Sequence, residues 1–454
     1  MIKSINPTTN EDIQTYPEMD EVEISRIITD ADKSFEKWKR TSFSRRADKM
    51  KFAGEILRKK KEMLSVLMTV EMGKPIIQSR SEIDKCALVC DYFAENAEKY
   101  LKDEKVETEA TNSFITYQPL GVILAIMPWN FPFWQVFRFA VPNLMAGNGG
   151  VLKHSSNVTG CGLAIEDIFR EAGFPENLFR TLVVPSKDID KIIRHDKIKA
   201  VTLTGSIAAG KSVAGIAGSV LKKSVLELGG SDPYIILEDA DLERAADTCV
   251  NSRLINSGQS CIAAKRFIVV NQVYNKFEEL FVDKMKSKIM GDPLKEETNV
   301  GPLARNDLRE ELHEQVMKSI KYGAKVLTGG KIPEGRGAFY PPTVLSNIQP
   351  GMPAYKEELF GPVASLIKAK DEGDAIRIAN DTKFGLGGAV FTQDSARGER
   401  IAREELNAGN CFVNEMVKSD PRLPFGGVKE SGYGRELSES GIKEFVNIKT
   451  VYRK

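Results

Sequence analysis

Apolar residues recur at Ile24, Ile27, Ile28, Ala31, Phe35 and Trp38, a spacing of three and four that puts them on one face of a helix over residues 20–40. A second helical stretch covers residues 44–71 and runs into the stop signals Gly73 and Pro75; a third covers residues 76–100. At residues 102–119 the period falls to two, with Phe114, Thr116 and Gln118 opposing Ile115 and Tyr117, and residues 446–450 alternate in the same way. Both stretches predict strands with one exposed face. Their unpaired edges invite pairing within the chain or with another subunit, and pairing across subunits is the expectation.

Between these stretches the pattern changes again. Residues 121–126 are a continuous apolar run, as in a strand buried on both faces, and residues 151–153, 181–184 and 200–203 repeat that character. Helix-compatible segments at 158–172 and 188–195 lie between them. Strands alternating with helices predict βαβ units and a parallel sheet, with ligands at the carboxyl ends of the strands. The pattern restarts after Glu227, with strands at 234–237, 266–270, 364–367 and 388–391 and helices at 275–290, 305–322 and 374–380. The fold class is therefore α/β, with two α/β domains.

Composition narrows the partners. At 454 residues, 42% hydrophobic and 28% charged, the chain is long enough for two or three globular domains. A net charge of +1 gives no electrostatic case for nucleic acid or an anionic membrane, and no apolar run is long enough to span one. The N-terminus has no apolar signal core. Six cysteines without a CxxC pair, and three histidines, predict neither a disulfide framework nor a metal site, so a cytoplasmic chain with reduced thiols is expected.

Candidate chemistry concentrates between Glu227-Leu228-Gly229-Gly230 and Gly258-Gln259-Ser260-Cys261. A thiolate is a strong nucleophile, but a free cysteine is mostly protonated at neutral pH. A neighbouring carboxylate can take its proton, directly or through water, and later activate a hydrolytic water. A competing motif lies in Gly205-Ser-Ile-Ala-Ala-Gly210-Lys211-Ser212, which satisfies the phosphate-loop pattern GxxxxGK[ST], with Glu238-Asp239 following a later apolar run. A P-loop NTPase is thus the alternative from a different class. It leaves Cys261 and Glu227 unexplained, and Lys211 reads more simply as an exposed lysine in the first turn of a helix.

Pro128-Trp129-Asn130-Phe131-Pro132, Thr204-Gly205-Ser206, Glu227-Leu228-Gly229-Gly230, Gly258-Gln259-Ser260-Cys261, Glu358-Leu359-Phe360-Gly361-Pro362 and Pro424-Phe425-Gly426-Gly427-Val428-Lys429 follow one another in an order that resembles the aldehyde dehydrogenase superfamily over nearly the whole chain. The resemblance implies a Rossmann-like dinucleotide-binding domain over 1–101 and 120–228, an α/β catalytic domain over 229–427, and a small β oligomerisation element from 102–119 and 444–454. It implies Cys261 as the thiol that attacks an aldehyde, Glu227 as the base, and Asn130 with the Cys261 backbone N–H as the donors to the oxyanion. Met127, Trp129, Lys153, Ser156, Gly205, Ser206, Glu358 and Phe360 match its cofactor-binding positions. A homodimer or homotetramer is implied as well.

Two departures from the family pattern bear on specificity. The usual lysine-proline-x-glutamate is Lys153-His154-Ser155-Ser156 here, so the glutamate that would hold the adenosine ribose 2′-hydroxyl is replaced by Ser156. A 2′-phosphate would then meet a lysine, hydroxyls and His154, which favours NADP, with NAD as the alternative. Arg138 follows Asn130 by about two helical turns, on nearly the same face as Trp134. That position resembles the carboxylate-binding arginine of succinate-semialdehyde dehydrogenases, and Ser419 resembles their substrate-side serine. Succinate semialdehyde is the expected substrate, another small aliphatic or carboxylated aldehyde the alternative. Ile255 and Ala263 stand where some members have a second arginine and a second cysteine.

Overall fold

The computed structural model describes residues 1–454 and contains two large sheets, a three-stranded sheet and an N-terminal hairpin. The first large sheet has six strands in the order Gly432–Tyr433, Lys223–Glu227, Ile198–Thr204, Val122–Met127, Gly149–His154, Phe179–Thr181. All neighbours are parallel except Gly432–Tyr433, which returns from the C-terminal region to pair antiparallel with Lys223–Glu227. The chain starts at Val122–Met127, builds outward on one side through Gly149–His154, then crosses back to Ile198–Thr204 on the other. That reversal makes a topological switch point, and the loop carrying Asn130 lies just beyond it. Val122, Ile123, Leu124 and Ala125 are each 0% exposed, so the continuous apolar run is a fully covered central strand.

The second large sheet has seven strands, ordered Lys325–Thr328, Thr343–Ser346, Val363–Ala369, Arg266–Val270, Pro233–Ile236, Gly387–Phe391, Asn410–Val413, parallel except for the first pair. The two sheets divide the chain where the sequence pattern restarts, between Glu227 and Pro233.

Several sequence expectations need correcting. The single helix over 44–71 is two, Phe43–Lys59 and Lys61–Met72, broken at Lys60. The strand expected over 181–184 is Phe179–Thr181. Residues Leu182 to Val184 are apolar for another reason: Leu182 and Val184 are buried in the main core, and Val183 packs with Ile2 and Tyr16 of the N-terminal hairpin, Ile2–Ile5 with Asp12–Tyr16, which periodicity did not predict. The two alternating strands do not each await another subunit. Val446–Arg453 pairs antiparallel with Asn112–Pro119 along its whole length, from Val446 opposite Pro119 to Arg453 opposite Asn112, within one chain. The last strand is the edge of that sheet, with Ile448 and Tyr452 exposed on it.

The phosphate-loop reading also fails on geometry. A P-loop wraps its backbone amides around a phosphate before the helix begins at Gly-Lys. Here Ser206 caps a helix that already runs from Ile207 to Ser219, so Gly210, Lys211 and Ser212 lie inside it. Lys211 is an exposed lysine paired with Glu430 at 3.0 Å. No helix is long and apolar enough to cross a membrane.

Candidate active site

The loop that carries Cys261 is held in an uncommon backbone shape. Asn256 (φ 51°, ψ 42°) and Ser257 (φ 55°, ψ 31°) are left-handed, a conformation that costs non-glycine residues of order 1–3 kcal/mol each and needs outside support. Gly258 follows at φ +79°, and a Cβ there would sit 2.2 Å from the Gly361 carbonyl oxygen, so no larger residue fits. The support is visible. Asn256 Nδ2 donates to the carbonyls of Asn130 (2.6 Å) and Gln259 (3.1 Å), Arg253 donates to the Gly258 carbonyl (2.6 Å), and Gln259 Oε1 accepts from Ala304 N–H (2.9 Å). The buried Lys265 ammonium donates to the carbonyls of Ser260 and Cys261, both at 2.7 Å.

Cys261 is a free, half-buried thiol. Burial pushes its pKa up to about 12; Lys265 and Arg138 oppose that rise, and Glu358 and Glu227 add to it. Glu227 ends its strand with a buried side chain, neither of whose oxygens has a hydrogen-bond partner. Burial, and next the nearby Glu436, hold its carboxyl well above the usual carboxylate range. The same burial that raises the thiol's pKa also raises the proton affinity of the Glu227 carboxylate, which suits it to accept a proton.

Asn130 is buried, and its side chain has a fixed direction. Arg138 Nη2 donates to Gln135 Oε1 (3.4 Å), Gln135 Nε2 to Asn130 Oδ1 (3.1 Å), and Asn130 Nδ2 to the Gln259 carbonyl (3.1 Å). An arginine can only donate, so the chain turns the donor end of the Asn130 amide toward the Gln259–Cys261 backbone. Helix Trp134–Met145, which carries Gln135 and Arg138, is itself anchored at its start: Glu82 Oε1 accepts from the N–H groups of Phe133 and Trp134, both at 2.9 Å. A carboxylate on those orphan donors offsets the helix dipole, and the buried Lys74 pairs with its other oxygen.

Two cavities meet at Gln135 and Cys261. One, of about 430 Å³, is also lined by Trp134, Arg138, Ser419 and Phe425. The other, of about 180 Å³, is lined by Trp129, Asn130, Gly205, Ser206, Glu358 and Phe360. Trp129 and Phe360 stand edge to face, 5.7 Å between centroids, and Glu358 accepts from Gly230 N–H at 2.9 Å while lying 3.5 Å from Lys265. A third cavity of about 570 Å³ holds Lys153, Ser155 and Ser156. Lys153 is buried with no ion-pair or hydrogen-bond partner, and the buried Thr204 hydroxyl has none either. An unmatched ammonium and hydroxyl at the ends of the first sheet's strands fit an anionic, hydroxyl-rich ligand such as a dinucleotide. There is no group of histidine, cysteine, aspartate and glutamate side chains that could hold a metal ion.

Two sequence assignments are not brought to these cavities. Met127 lines none of them; its side chain is buried in the core. His154 does not face the Ser156 cavity, because successive strand residues point to opposite faces. It lies inward, 2.9 Å from the Pro132 carbonyl, with its Nδ1 accepting from Ser155 N–H at 3.0 Å, and burial lowers its pKa to about 4. It is neutral and braces the Asn130 loop. Sequence reading missed Lys85, Gln135 and Glu436. Glu436 is buried and ion-paired with Arg138, and could have been suspected from Gly434-Arg435-Glu436-Leu437 beside the last quoted motif.

The family model described as aldehyde dehydrogenase family matches residues 1–451. The chain belongs to the aldehyde dehydrogenase family. It is 48% identical over 99% of both chains to a probable succinate-semialdehyde dehydrogenase (NADP(+)) of Synechocystis sp., and 46% identical to the Escherichia coli succinate semialdehyde dehydrogenase (NAD(P)+), over 99% of this chain and 97% of that one. The solved succinic semialdehyde dehydrogenase of Streptococcus pyogenes, in complex with NADP+, superimposes with a TM-score of 0.97 at 36% identity, covering 100% of this chain and 99% of the other. These aldehyde dehydrogenase-fold neighbours carry the α/β architecture expected from the sequence.

Proposed function

We propose that this aldehyde dehydrogenase oxidises succinate semialdehyde to succinate with NADP as electron acceptor. The observation that carries the reading is that Cys261 sits where two cavities meet, one lined by Arg138 and Ser419 and the other by the residues expected to hold a dinucleotide. Relatives at 46–48% identity that are named for this reaction support it. The Cys261 sulfur attacks the aldehyde carbon, its proton leaves for Glu227 directly or through water, and the Asn130 amide and Cys261 N–H bind the developing oxyanion. A dinucleotide held in the second cavity would supply the hydride acceptor needed for the thiohemiacetal on Cys261 to become a thioester. Once Glu227 has passed the thiol's proton to bulk water, its carboxylate takes a proton from the hydrolytic water that attacks the thioester; the acid is released and the proton on Glu227 goes to the departing Cys261 sulfur. Arg138 is proposed to face the substrate's far carboxylate, with Trp134 and Ser419 beside it.

For the cofactor, Trp129, Glu358 and Phe360 would hold the nicotinamide end, Gly205 and Ser206 the pyrophosphate, and Lys153 with Ser156 the adenosine ribose. A 2′-phosphate is favoured because exposed Ser156 opens the turn Ser156–Val158 without a carboxylate.

The test is cofactor reduction with NADP and NAD across a panel containing succinate semialdehyde, butanal and ATP as a hydrolysis control. The expected result is NADP reduction fastest with succinate semialdehyde and no ATP turnover. Equal rates on butanal would sink the substrate assignment. In the same assay Ser156→Glu raises KM for NADP by about tenfold or more, since like charges a few ångströms apart repel by one to several kcal/mol, and leaves KM for NAD far less affected. Equal effects on the two would remove residue 156 from the ribose site.

A cytoplasmic location is supported by the six free thiols. The open edge of Val446–Arg453 supports assembly into a homodimer or a dimer of dimers through that strand. Light scattering is expected to give a dimer or tetramer at micromolar protein; a monomer would refute this.

A further inference from the structure

The cavity on the substrate side contains more positive charge than Arg138. Helix Ile76–Tyr100 presents Gln78, Ser81, Glu82 and Lys85 to it, positions three, four and seven apart that share one helix face. The charges lining the cavity are mostly balanced. Arg138 is ion-paired with buried Glu436, Glu82 with buried Lys74, and Lys418 with Glu415. Lys85 and Lys288 have no carboxylate partner, and of the two only Lys85 is fixed by other groups. Its ammonium donates to Ser419 Oγ at 2.8 Å and lies 4.1 Å from the centre of the Trp134 ring.

The Ser419 hydroxyl sharpens the picture. Its oxygen accepts from Lys85 and from Trp134 Nε1 (3.1 Å), two groups that can only donate. Both acceptor sites are occupied, so what Ser419 has left to offer is its O–H. An ammonium with N–H bonds to spare and a hydroxyl proton without an acceptor therefore converge on one wall of the cavity, and no carboxylate of the protein forms an ion pair with that ammonium. Such a grouping suits a carboxylate, which accepts through two oxygens.

We propose that Lys85, acting with the Ser419 hydroxyl, is a specificity-determining residue that binds the far carboxylate of the substrate, adding an uncompensated charge to that of Arg138, which Glu436 partly neutralises. This rests on the proposal above that the substrate is a carboxylated aldehyde. Burial brings the Lys85 pKa down to about 8, as does Arg138, against the opposing effects of Cys86, Glu82 and Asp420. The ammonium is thus charged below about pH 8 and loses its charge above it. KM for a carboxylated aldehyde is expected to climb through that range and KM for a neutral one is not.

The experiment compares kcat/KM for succinate semialdehyde and butanal in the wild type, Lys85→Met and Lys85→Arg over a range of pH. In Lys85→Met the ratio of succinate semialdehyde to butanal is expected to fall by about 10- to 100-fold, the loss of a charge-assisted hydrogen bond, mostly through KM. Lys85→Arg is expected to retain most of the ratio and to move the alkaline rise in KM to higher pH. A ratio unchanged in Lys85→Met, or a loss shared equally by both aldehydes, overturns the assignment. If the wild type itself shows no preference for succinate semialdehyde, the substrate reading fails first. A strong wild-type preference that survives Lys85→Met removes Lys85 alone.

Discussion

Cys261→Ala abolishes aldehyde-dependent cofactor reduction, lowering turnover by roughly four orders of magnitude or more, as expected when the only covalent nucleophile is removed. Stability should barely change, because the side chain is half-buried and its loop is held through backbone carbonyls by Lys265 and Arg253 rather than through the sulfur. Thermal unfolding and NADP binding measured on the variant separate loss of chemistry from loss of fold. The same thiol sets a pH signature in the wild type. Burial raises its pKa, so it is protonated at neutral pH, and the thiolate fraction rises about tenfold per pH unit toward about 12. Turnover should therefore climb into the alkaline range. A variant that retains aldehyde oxidation would remove Cys261 from the chemistry altogether.

Asn130→Ala is expected to reduce kcat by about 10²–10³ with a much smaller change in KM, the usual result of deleting one of two donors to an oxyanion. Asn130→Asp serves as the shape-conserving comparison. It places an acceptor against the Gln259 carbonyl, where the amide nitrogen stood at 3.1 Å, and should be no better than alanine. Near-wild-type turnover in either variant would mean that the oxyanion lies elsewhere. Steady-state kinetics with saturating cofactor suffices for this comparison.

What could be read in advance follows from what sequence patterns encode. Period and apolar runs predicted the parallel sheets, because full burial of residues 122–125 requires a continuous apolar segment. Cys261, Glu227 and Asn130 could be named because the motifs that carry them follow one another in the order seen in the aldehyde dehydrogenase superfamily. Lys85 could not, since helix Ile76–Tyr100 reads as a packing helix until its neighbours are known. His154 was assigned to the wrong face of its strand by following the motif rather than the pleat. The partner of Val446–Arg453 is likewise a long-range fact: alternation predicts a strand, and the register with Asn112–Pro119 comes from the tertiary fold. The balance of charge around Arg138 depends on Glu436, nearly three hundred residues along the chain, and the pairing of the two is set by the tertiary fold.

The directed chain from Arg138 through Gln135 to Asn130 has an evolutionary consequence. The two ends of an amide have almost the same shape, and what distinguishes them here is a residue that can donate but not accept. A change at position 138 that retunes which aldehyde is accepted also unsettles which end of the amide faces the reacting carbon. Preference and turnover are then inherited together at that position. Lys85 bonds to Ser419 and lies over Trp134 and has no hydrogen bond to any member of that chain, so a lineage can alter its preferred aldehyde there without changing the hydrogen bonds that aim the Asn130 amide.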